Sequence, residues 1–187
     1  MTKRIILAVS GSISAYKAAD LTSRLKKKGY DVHVIMTEAA QAFITPLTLQ
    51  VLSKNPVHTD VMEEKLAERI NHIDLAKETD LFIVAPASAN TIAKLAHGMA
   101  DNMLTATALA LPSTTPKLIA PAMNTKMYEN PLTKKNLKTL QEVGYQEILP
   151  KSGLLACGDT GRGALADIAV IIESIDSALT RKGVYDE

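Results

Sequence analysis

Short runs of mainly aliphatic residues constrain the fold of this chain more than any other feature of its sequence. Each run has four or five residues, and each is followed by serine, threonine or proline. Runs of this length and composition are typical of strands that are buried on both faces of a sheet. The four predicted strands are Ile5–Val9, Val32–Met36, Leu81–Ala85 and Lys117–Ala120.

Predicted helices fill the intervals between these strands, and the alternation favours a parallel sheet with helices on both faces. We therefore expect an α/β fold: a three-layer, doubly wound parallel sheet of the Rossmann/flavodoxin-like type. The helices are predicted at about Ser14–Lys28, Pro46–Ser53, Ser88–Ala96, Asn102–Leu111, Thr133–Val143 and from a cap at Asp167 to about Thr180, with a fifth strand at Gln146–Leu149. The glycine-rich residues 151–164 are predicted to form a loop. No linker or repeat divides residues 1–187, which we expect to form a single domain.

The composition excludes several classes of function. Lysine and arginine number 21 against 20 acidic residues, and tryptophan is absent, so neither nucleic acid nor a membrane surface is expected as a partner. One cysteine excludes an intrachain disulfide framework and fits a reducing, cytoplasmic compartment. No pair of histidines has the helical spacing of metal ligands, so no metal site is predicted.

Small and polar residues follow each predicted strand of the sheet. The segments are Ser10–Ser12, Thr37–Glu38, Ala87–Asn90 and Ala122–Asn124. In a parallel sheet the carboxyl ends of the strands meet at one edge, where such folds bind their ligands. Four loops of this kind predict one site at that edge.

The two glycine- or serine-bearing loops each allow two interpretations. Gly11 and its neighbours could cradle a phosphate at a helix N-terminus, or could form a tight turn with a serine cap; the G-x-G-x-x-G dinucleotide motif is absent. The hydroxyls of Ser88 and Thr91 could reach a phosphate, but an ordinary helix cap is the favoured interpretation of that segment taken alone.

Two residues with reactive side chains lie outside the predicted helices and strands. His72 could act as a general base from a loop, although a surface or structural histidine is the more frequent case. Cys157 lies in the glycine-rich segment, which could close over a substrate together with Arg162, or could be a flexible connection with an incidental cysteine.

Taken together, these motifs resemble a known family. Pro86–Thr91, Pro121–Met127 and the Cys157 segment occur in that order, with Asn71-His72-Ile73 before them. They resemble the homo-oligomeric flavin-containing cysteine decarboxylases, most closely the stand-alone phosphopantothenoylcysteine decarboxylases, over the chain from Ile5 to about Ile172.

The resemblance implies FMN as the cofactor and assigns roles to individual positions. The implied cofactor-binding residues are Gly11, Ser12, Ile13, Thr37, Ser88, Ala89, Asn90, Thr91 and Ala122. His72 matches the catalytic histidine, and Cys157 matches a proton-donating cysteine on a flap over the substrate. Asn124 matches the residue that holds the substrate carboxylate, with Met127 beside it. We add Arg162 as a further flap contact to the substrate.

The implied reaction is the FMN-dependent decarboxylation of 4'-phosphopantothenoylcysteine to 4'-phosphopantetheine in coenzyme A biosynthesis. The substrate nitrogen is acylated and cannot form a Schiff base, so flavin oxidation of the thiol to a thioaldehyde would supply the electron sink. Loss of carbon dioxide and re-reduction would follow. The implied assembly is a trimer, or a dodecamer of trimers, with the active site at a subunit interface.

Four other functions remain open from the sequence. They are a peptidyl-cysteine decarboxylase, a flavin prenyltransferase, a non-catalytic regulatory homologue and a flavodoxin-like electron carrier. A flap cysteine favours the coenzyme A enzyme over a peptidyl-cysteine decarboxylase, because the latter releases its enethiol without a reducing step.

Overall fold

The computed structural model describes residues 2–63, 71–155, 158 and 160–185. Its main sheet is parallel throughout the described part and has the strand order β3-β2-β1-β4-β5-β6. The strands of this sheet are β1 (Arg4–Val9), β2 (Asp31–Met36), β3 (Val57–His58), β4 (Leu81–Ala87), β5 (Lys117–Pro121) and β6 (Tyr145–Glu147). An antiparallel hairpin of β7 (Lys151–Leu154) and β8 (Thr160–Ala164) lies outside the sheet.

Helices connect the strands. They are α1 (Ala18–Lys27), α2 (Glu38–Gln41), α3 (Pro46–Ser53), α4 (Asn71–Lys77), α5 (Ala89–Ala96), α6 (Met103–Ala110), α7 (Thr125–Glu129), α8 (Pro131–Glu142) and α9 (Ile168–Tyr185), with a 3-10 turn at Ile13–Lys17 before α1. Most begin at a residue whose side-chain oxygen accepts a backbone N–H, as at Thr45 before Pro46 and at Asn102, which forms a capping box with Thr105.

The sheet is buried on both faces, as the apolar runs predicted. Alternate residues of the central strands pack into two separate cores, so that Ile5, Leu7 and Val9 of β1 face one side. Ile6 and Ala8 of the same strand face the other side. The three-layer α/β fold is therefore confirmed, and a continuous aliphatic strand is the expected consequence of two covered faces.

The chain reverses its direction of travel across the sheet between β1 and β4. From β1 it moves outward to β2 and β3, then returns to β4 and continues to β5 and β6 on the opposite side. The connections that follow β1 and β4 leave in opposite directions, which opens a crevice at the carboxyl ends of these two strands. The topology thus places a candidate site before any side chain is considered.

Two predictions about local structure are wrong. His72 lies in the first turn of α4, not in a loop; this helix has only seven residues and buries only Leu75 and Ala76 fully, so its apolar periodicity is faint. Within residues 151–164 the described parts form the β7–β8 hairpin rather than a loop. Two of its glycines, Gly161 and Gly163, are required for close packing, which composition alone does not distinguish from flexibility.

Candidate functional site

A cavity of about 460 Å³ occupies the crevice at the carboxyl ends of β1, β4 and β5. Its lining residues are Gly11, Ser12, Ile13, Ser14, Tyr16, Lys17, Ser88, Ala89, Ala122, Met123, Asn124, Met127, Leu155, Gly163 and Ala164. We call it the carboxyl-edge cavity. It brings together residues from three of the four strand-end loops that the sequence predicted to meet.

Ser10 joins the first two of these loops. Its buried hydroxyl donates to the carbonyl oxygen of Pro86 at 2.7 Å, and the Ser88 N–H donates to Ser10 Oγ at 2.8 Å. The end of β1 and the start of α5 are therefore held in a fixed relation. The sequence analysis did not assign Ser10 a role. A serine directly after an aliphatic strand could have indicated a buried hydroxyl that needs hydrogen-bond partners.

Gly11 is required for packing. A Cβ at this position would lie 2.6 Å from Ala39 Cβ, so any side chain would push the first loop away from α2. Thr37 caps α2, with its hydroxyl accepting the Ala40 N–H at 3.2 Å, and it does not line the carboxyl-edge cavity. The two residues nevertheless belong to one unit, because α2 seats the loop that carries Gly11.

The segment after β4 supplies a helix N-terminus to the cavity. Ser88 caps α5 by accepting the Thr91 N–H at 3.2 Å, and its hydroxyl also bonds the Thr91 hydroxyl. Thr91 is buried and Asn90 is exposed, and neither lines the cavity. The first N–H groups of a helix have no partner within the helix, so the N–H groups after Ser88 are available to an anion.

The segment after β5 begins the short helix α7. Asn124 caps this helix, its side-chain oxygen accepting the Lys126 N–H at 2.8 Å, and the half-exposed Met127 lies one turn further on at the cavity. The Ala122 N–H donates to the Ala87 carbonyl at 3.1 Å, which ties this segment to the end of β4.

The β7–β8 hairpin closes against α7 through its glycines. A Cβ on Gly163 would lie 2.3 Å from the Met123 carbonyl oxygen, and one on Gly161 would lie 2.6 Å from Thr125 Oγ1. The Met123 N–H donates to the Gly163 carbonyl at 2.9 Å. The alternation of glycine at 161 and 163 was a signal for a strand packed on a backbone, and sequence reasoning missed it.

Tyr128 anchors α7 to the body of the protein. Its hydroxyl donates to Glu147 Oε1 at 2.8 Å, and Lys134 Nζ lies 3.4 Å from its ring centroid. Burial and the bond to Glu147 raise the pKa of Tyr128, against the opposing charge of Arg162. The phenol therefore stays protonated and donates to Glu147. This bond fixes α7, the helix that Asn124 caps and that carries Met127, against β6.

The remaining predicted site residues lie elsewhere or cannot be placed. His72 Nδ1 is buried without a hydrogen-bond partner among the described residues, and His72 does not line the carboxyl-edge cavity of its own chain. Arg162 is exposed on β8 opposite Ser152. Cys157 lies outside the described residues.

The cavity has both polar and apolar lining residues. The polar part includes serines and the N-terminus of α5, and the apolar part includes Ala122, Met123 and Met127. No carboxylate is among its described lining residues, whereas Lys17 contributes a positive charge. Such a lining suits an anionic ligand that has a flat or apolar body.

In the described part of the chain, no three histidine, cysteine, aspartate or glutamate side chains gather as metal ligands would. Among the same residues, no helix has the length and hydropathy needed to cross a bilayer.

Comparison with known proteins identifies the family. The family model described as Flavoprotein matches residues 1–180. The chain belongs to the Flavoprotein family. The resemblance that the motifs suggested is thereby confirmed at the level of the family.

Curated relatives of this flavoprotein are coenzyme A biosynthesis proteins. It is 64% identical over 179 residues to the probable phosphopantothenoylcysteine decarboxylase of Streptococcus mutans serotype c (strain ATCC 700610 / UA159), covering 96% of this chain and 100% of the relative. It is 50% identical over 171 residues to the coenzyme A biosynthesis bifunctional protein CoaBC of Bacillus subtilis (strain 168), covering 91% of this chain but 42% of that protein.

Solved structures agree in fold over almost the whole flavoprotein. A cysteine-to-serine mutant of PPC decarboxylase complexed with pantothenoylaminoethenethiol superposes with a TM-score of 0.86 at 35% identity, covering 94% of this chain and 97% of the other. The FMN-dependent cysteine decarboxylase SpaF superposes with a TM-score of 0.84 at 31% identity, covering 97% of each chain.

Proposed function

We propose that this chain catalyses the FMN-dependent decarboxylation of 4'-phosphopantothenoylcysteine to 4'-phosphopantetheine in coenzyme A biosynthesis. The observation that carries this proposal is the carboxyl-edge cavity, which is lined by Ser88 and Ala89 from one loop and by Asn124 and Met127 from another. The 64% identity to a probable phosphopantothenoylcysteine decarboxylase over its full length supports the choice of substrate.

The described residues fit FMN. Serines and the free N–H groups at the start of α5 form a donor set for a phosphate, and Ala122 and Met123 offer an apolar surface to a flat ring. We assign the cofactor to Gly11, Ser12, Ile13, Thr37, Ser88, Ala89, Asn90, Thr91 and Ala122, of which Thr37, Asn90 and Thr91 would act through the caps and loops they form. When bound, FMN supplies a hydride acceptor and donor.

The substrate would be held by α7 and the hairpin. Asn124 lines the cavity, and its amide N–H₂ group is the proposed donor to the substrate carboxylate, while Met127 packs beside it. Arg162 is proposed as a second cationic contact from the hairpin. Removal of water by the hairpin would favour loss of carbon dioxide, because a carboxylate is stabilised by hydration.

Two side chains would move protons. We assign His72 to removing the thiol proton of the substrate, since its Nδ1 is held away from water without a described partner. We assign Cys157 to protonating the carbon that has lost its carboxylate. The name of one structural neighbour supports the second role: a cysteine-to-serine mutant was captured with an ethenethiol, which is decarboxylated but still unsaturated.

A homo-oligomer would bring His72 to the site. His72 does not line the cavity of its own chain, whereas exposed apolar side chains lie on the 3-10 turn beside that cavity and on α2–α3. These side chains are Ile13, Tyr16, Phe43, Leu47 and Val51. We propose that they pack against a second copy in a homotrimer, or a dodecamer of trimers, located in the cytoplasm.

A peptidyl-cysteine decarboxylase is the second candidate. The similarity to SpaF, an FMN-dependent cysteine decarboxylase, favours it, at 31% identity. The two reactions differ in their products, because only the coenzyme A reaction reduces the ethenethiol to a saturated thiol.

One experiment separates these functions. Purified protein with FMN is incubated with 4'-phosphopantothenoylcysteine, and both carbon dioxide and the mass of the thiol product are measured. The proposal expects one carbon dioxide per substrate and saturated 4'-phosphopantetheine. Cys157→Ser should still release carbon dioxide but leave a product lighter by two hydrogens. Absence of carbon dioxide, or full reduction by the Cys157→Ser variant, would contradict the proposal or the role of Cys157, respectively.

A further inference from the structure

A second, separate cavity lies on the side of the protein where β5 begins. It has a volume of about 420 Å³ and is bounded by α5, the end of α6, the end of α8 and β6. Its wall is mostly apolar, with Leu95, Met99, Ala108, Leu109 and Val143 among the lining residues. We call it the α5–α6–α8 cavity. None of its described lining residues belongs to the carboxyl-edge cavity.

A single lysine supplies the charge of this cavity. Lys117, the first residue of β5, lines it, and Lys117 Nζ lies 5.6 Å from the ring centroid of Tyr145. Burial lowers the pKa of Lys117. A cation over an aromatic face gains some electrostatic attraction, but less than it would gain from a carboxylate in the same place.

Lys117 is partly buried but lacks the carboxylate partner that several other lysines of the described chain have. Lys28 pairs with Asp176, Lys94 with Asp101, and Lys151 with Asp167. No acidic residue of the described chain forms an ion pair with Lys117. A partly desolvated ammonium without a counter-ion is costly, so this position favours an anion from outside the chain.

A second cation reinforces that preference. Lys117 also lines an adjoining cavity of about 230 Å³, and Arg181 of α9 lines the same adjoining cavity. Neither cavity has an aspartate or glutamate among its described lining residues. The described charged residues that line the two cavities are therefore both cations, and the larger cavity is mostly apolar.

We infer that the α5–α6–α8 cavity binds a small amphipathic monocarboxylate, with its carboxylate on Lys117 and its hydrocarbon body against α5 and α6. Besides Lys117, the polar side chains among the described lining residues are those of Thr105, Ser113 and Tyr145, and the Thr105 hydroxyl is used in the capping box of α6, which leaves few groups to recognise a sugar, a base or a peptide backbone. One cation and an apolar space of this size match a medium-chain carboxylic acid, because its carboxylate would pair with the lysine and its hydrocarbon chain would contact the apolar wall.

Octanoate is a suitable probe, and octanamide is its uncharged counterpart of nearly equal shape. Their affinities for the FMN-loaded protein are measured by saturation-transfer NMR titration. Octanoate should bind at least about tenfold more tightly than octanamide, because only octanoate forms a charge-assisted hydrogen bond with Lys117. Equal affinities for the two probes would overturn the inference.

Variants locate the binding. Lys117→Gln should weaken octanoate binding by about tenfold, and Lys117→Arg should keep it within about threefold. Leu109→Glu, at an exposed position on the wall, should weaken it by repulsion. Lys135→Gln, on the exposed surface of α8, is the matched control and should have no effect. Unchanged binding in Lys117→Gln would overturn the inference.

The same variants test whether a second copy of the chain covers this surface instead. Light scattering measures the mass of the native protein and of Leu109→Glu. If octanoate fails to bind the native assembly and Leu109→Glu reduces its mass, the cavity is a contact between copies and the inference is wrong. These readouts do not use decarboxylase activity, so they are independent of the proposed function.

Discussion

The main sheet has a groove at its amino edge and a cavity at its carboxyl edge, and the polar groups of the two have different bonding partners. At the amino edge a groove of about 700 Å³ is lined by Arg4, Tyr30, Asp31, Glu78 and Asp80, among others. At the carboxyl edge the smaller cavity of about 460 Å³ is lined by serines, small residues and methionines. Size alone would favour the amino edge as the site.

The charges of the amino edge bind one another. Arg4 Nε pairs with Asp31 Oδ2 at 3.1 Å, and Arg4 also pairs with Glu78. Burial alone would raise the pKa of Asp31, but hydrogen bonds from Asn55, His33 and Arg4 lower it to about 2. Groups whose partners lie within the chain stabilise the fold and leave little for a ligand.

The polar groups at the carboxyl edge instead hold the backbone in place around the cavity. Ser10, Ser88 and Asn124 each fix a loop, while the start of α5 brings backbone N–H donors to the cavity. A site is therefore better recognised by backbone donors that are held in place at a cavity than by the number of charges or the volume.

The largest expected effect on activity comes from His72, and His33 serves as its control. His72→Gln should lower carbon dioxide release by about 10²- to 10⁴-fold, the usual contribution of a general base. Its unfolding midpoint should hardly change, because Nδ1 has no hydrogen-bond partner among the described residues. His33→Gln is the matched control at the amino edge: it loses the contact to Asp31 and should cost stability with activity retained. Activity assays and thermal melts of both variants test this. Loss of activity in His33→Gln together with loss of stability in His72→Gln would contradict these assignments.

The next effect comes from two glycines of the same hairpin. Gly163→Ala should lower activity by about 100-fold, because its Cβ would sit 2.3 Å from the Met123 carbonyl and would displace the segment before Asn124. Gly153→Ala is the control, since a Cβ there meets no heavy atom within 4 Å. Similar activity of the two variants would show that the contact between β8 and α7 does not set the site geometry.

At the amino edge, Asp31→Asn should cost about 1 to 2 kcal/mol of unfolding free energy at neutral pH. The folded pKa of Asp31 lies near 2, below its ordinary value of 3.8. This stabilisation is therefore complete above pH 3.8 and is lost as the pH falls towards 2. Urea denaturation between pH 2 and 7 should show the two proteins converging at low pH; a constant difference would argue against the ion-pair network.

The smallest effect is expected from Tyr128→Phe. Removing the hydroxyl that donates to Glu147 should lower stability by about 1 kcal/mol and, by loosening α7, raise KM severalfold with less change in kcat. The matched control is Tyr16→Phe at the exposed rim of the cavity, which should leave the melting temperature unchanged. A fall in kcat without a change in KM would assign Tyr128 a different role.

Much of the fold could be predicted from the sequence, because a strand that is buried on both faces is a continuous run of aliphatic residues. The strands around Ile6, Val34, Ile83 and Leu118 were predicted to within two residues, and the structure confirms the α/β class. Local elements with few buried residues were not predictable in this way: α2, α7 and the edge strand β3 each have five residues or fewer.

The candidate site was predictable in its loops but not in its detailed geometry. Three of the four strand-end segments line the cavity, because the carboxyl ends of parallel strands share one edge, whereas Thr37 lies outside it. The contact of Gly11 with Ala39, and of Gly163 with Met123, joins residues far apart in sequence, so a local glycine pattern can indicate close packing but not the partner. The location of His72 in a helix was missed because α4 has only seven residues and few buried ones, which leaves little apolar periodicity.

The most direct test of the central claim is a titration of the flavin-free protein with FMN, followed by quenching of flavin fluorescence. Wild-type protein should bind one FMN per chain. Ala89→Glu, which places a carboxylate at the N-terminus of α5, should abolish binding, whereas Glu78→Gln in the larger amino-edge groove should leave it unchanged. Unaltered binding by Ala89→Glu, or its loss in Glu78→Gln, would contradict the placement of the active site at the carboxyl edge.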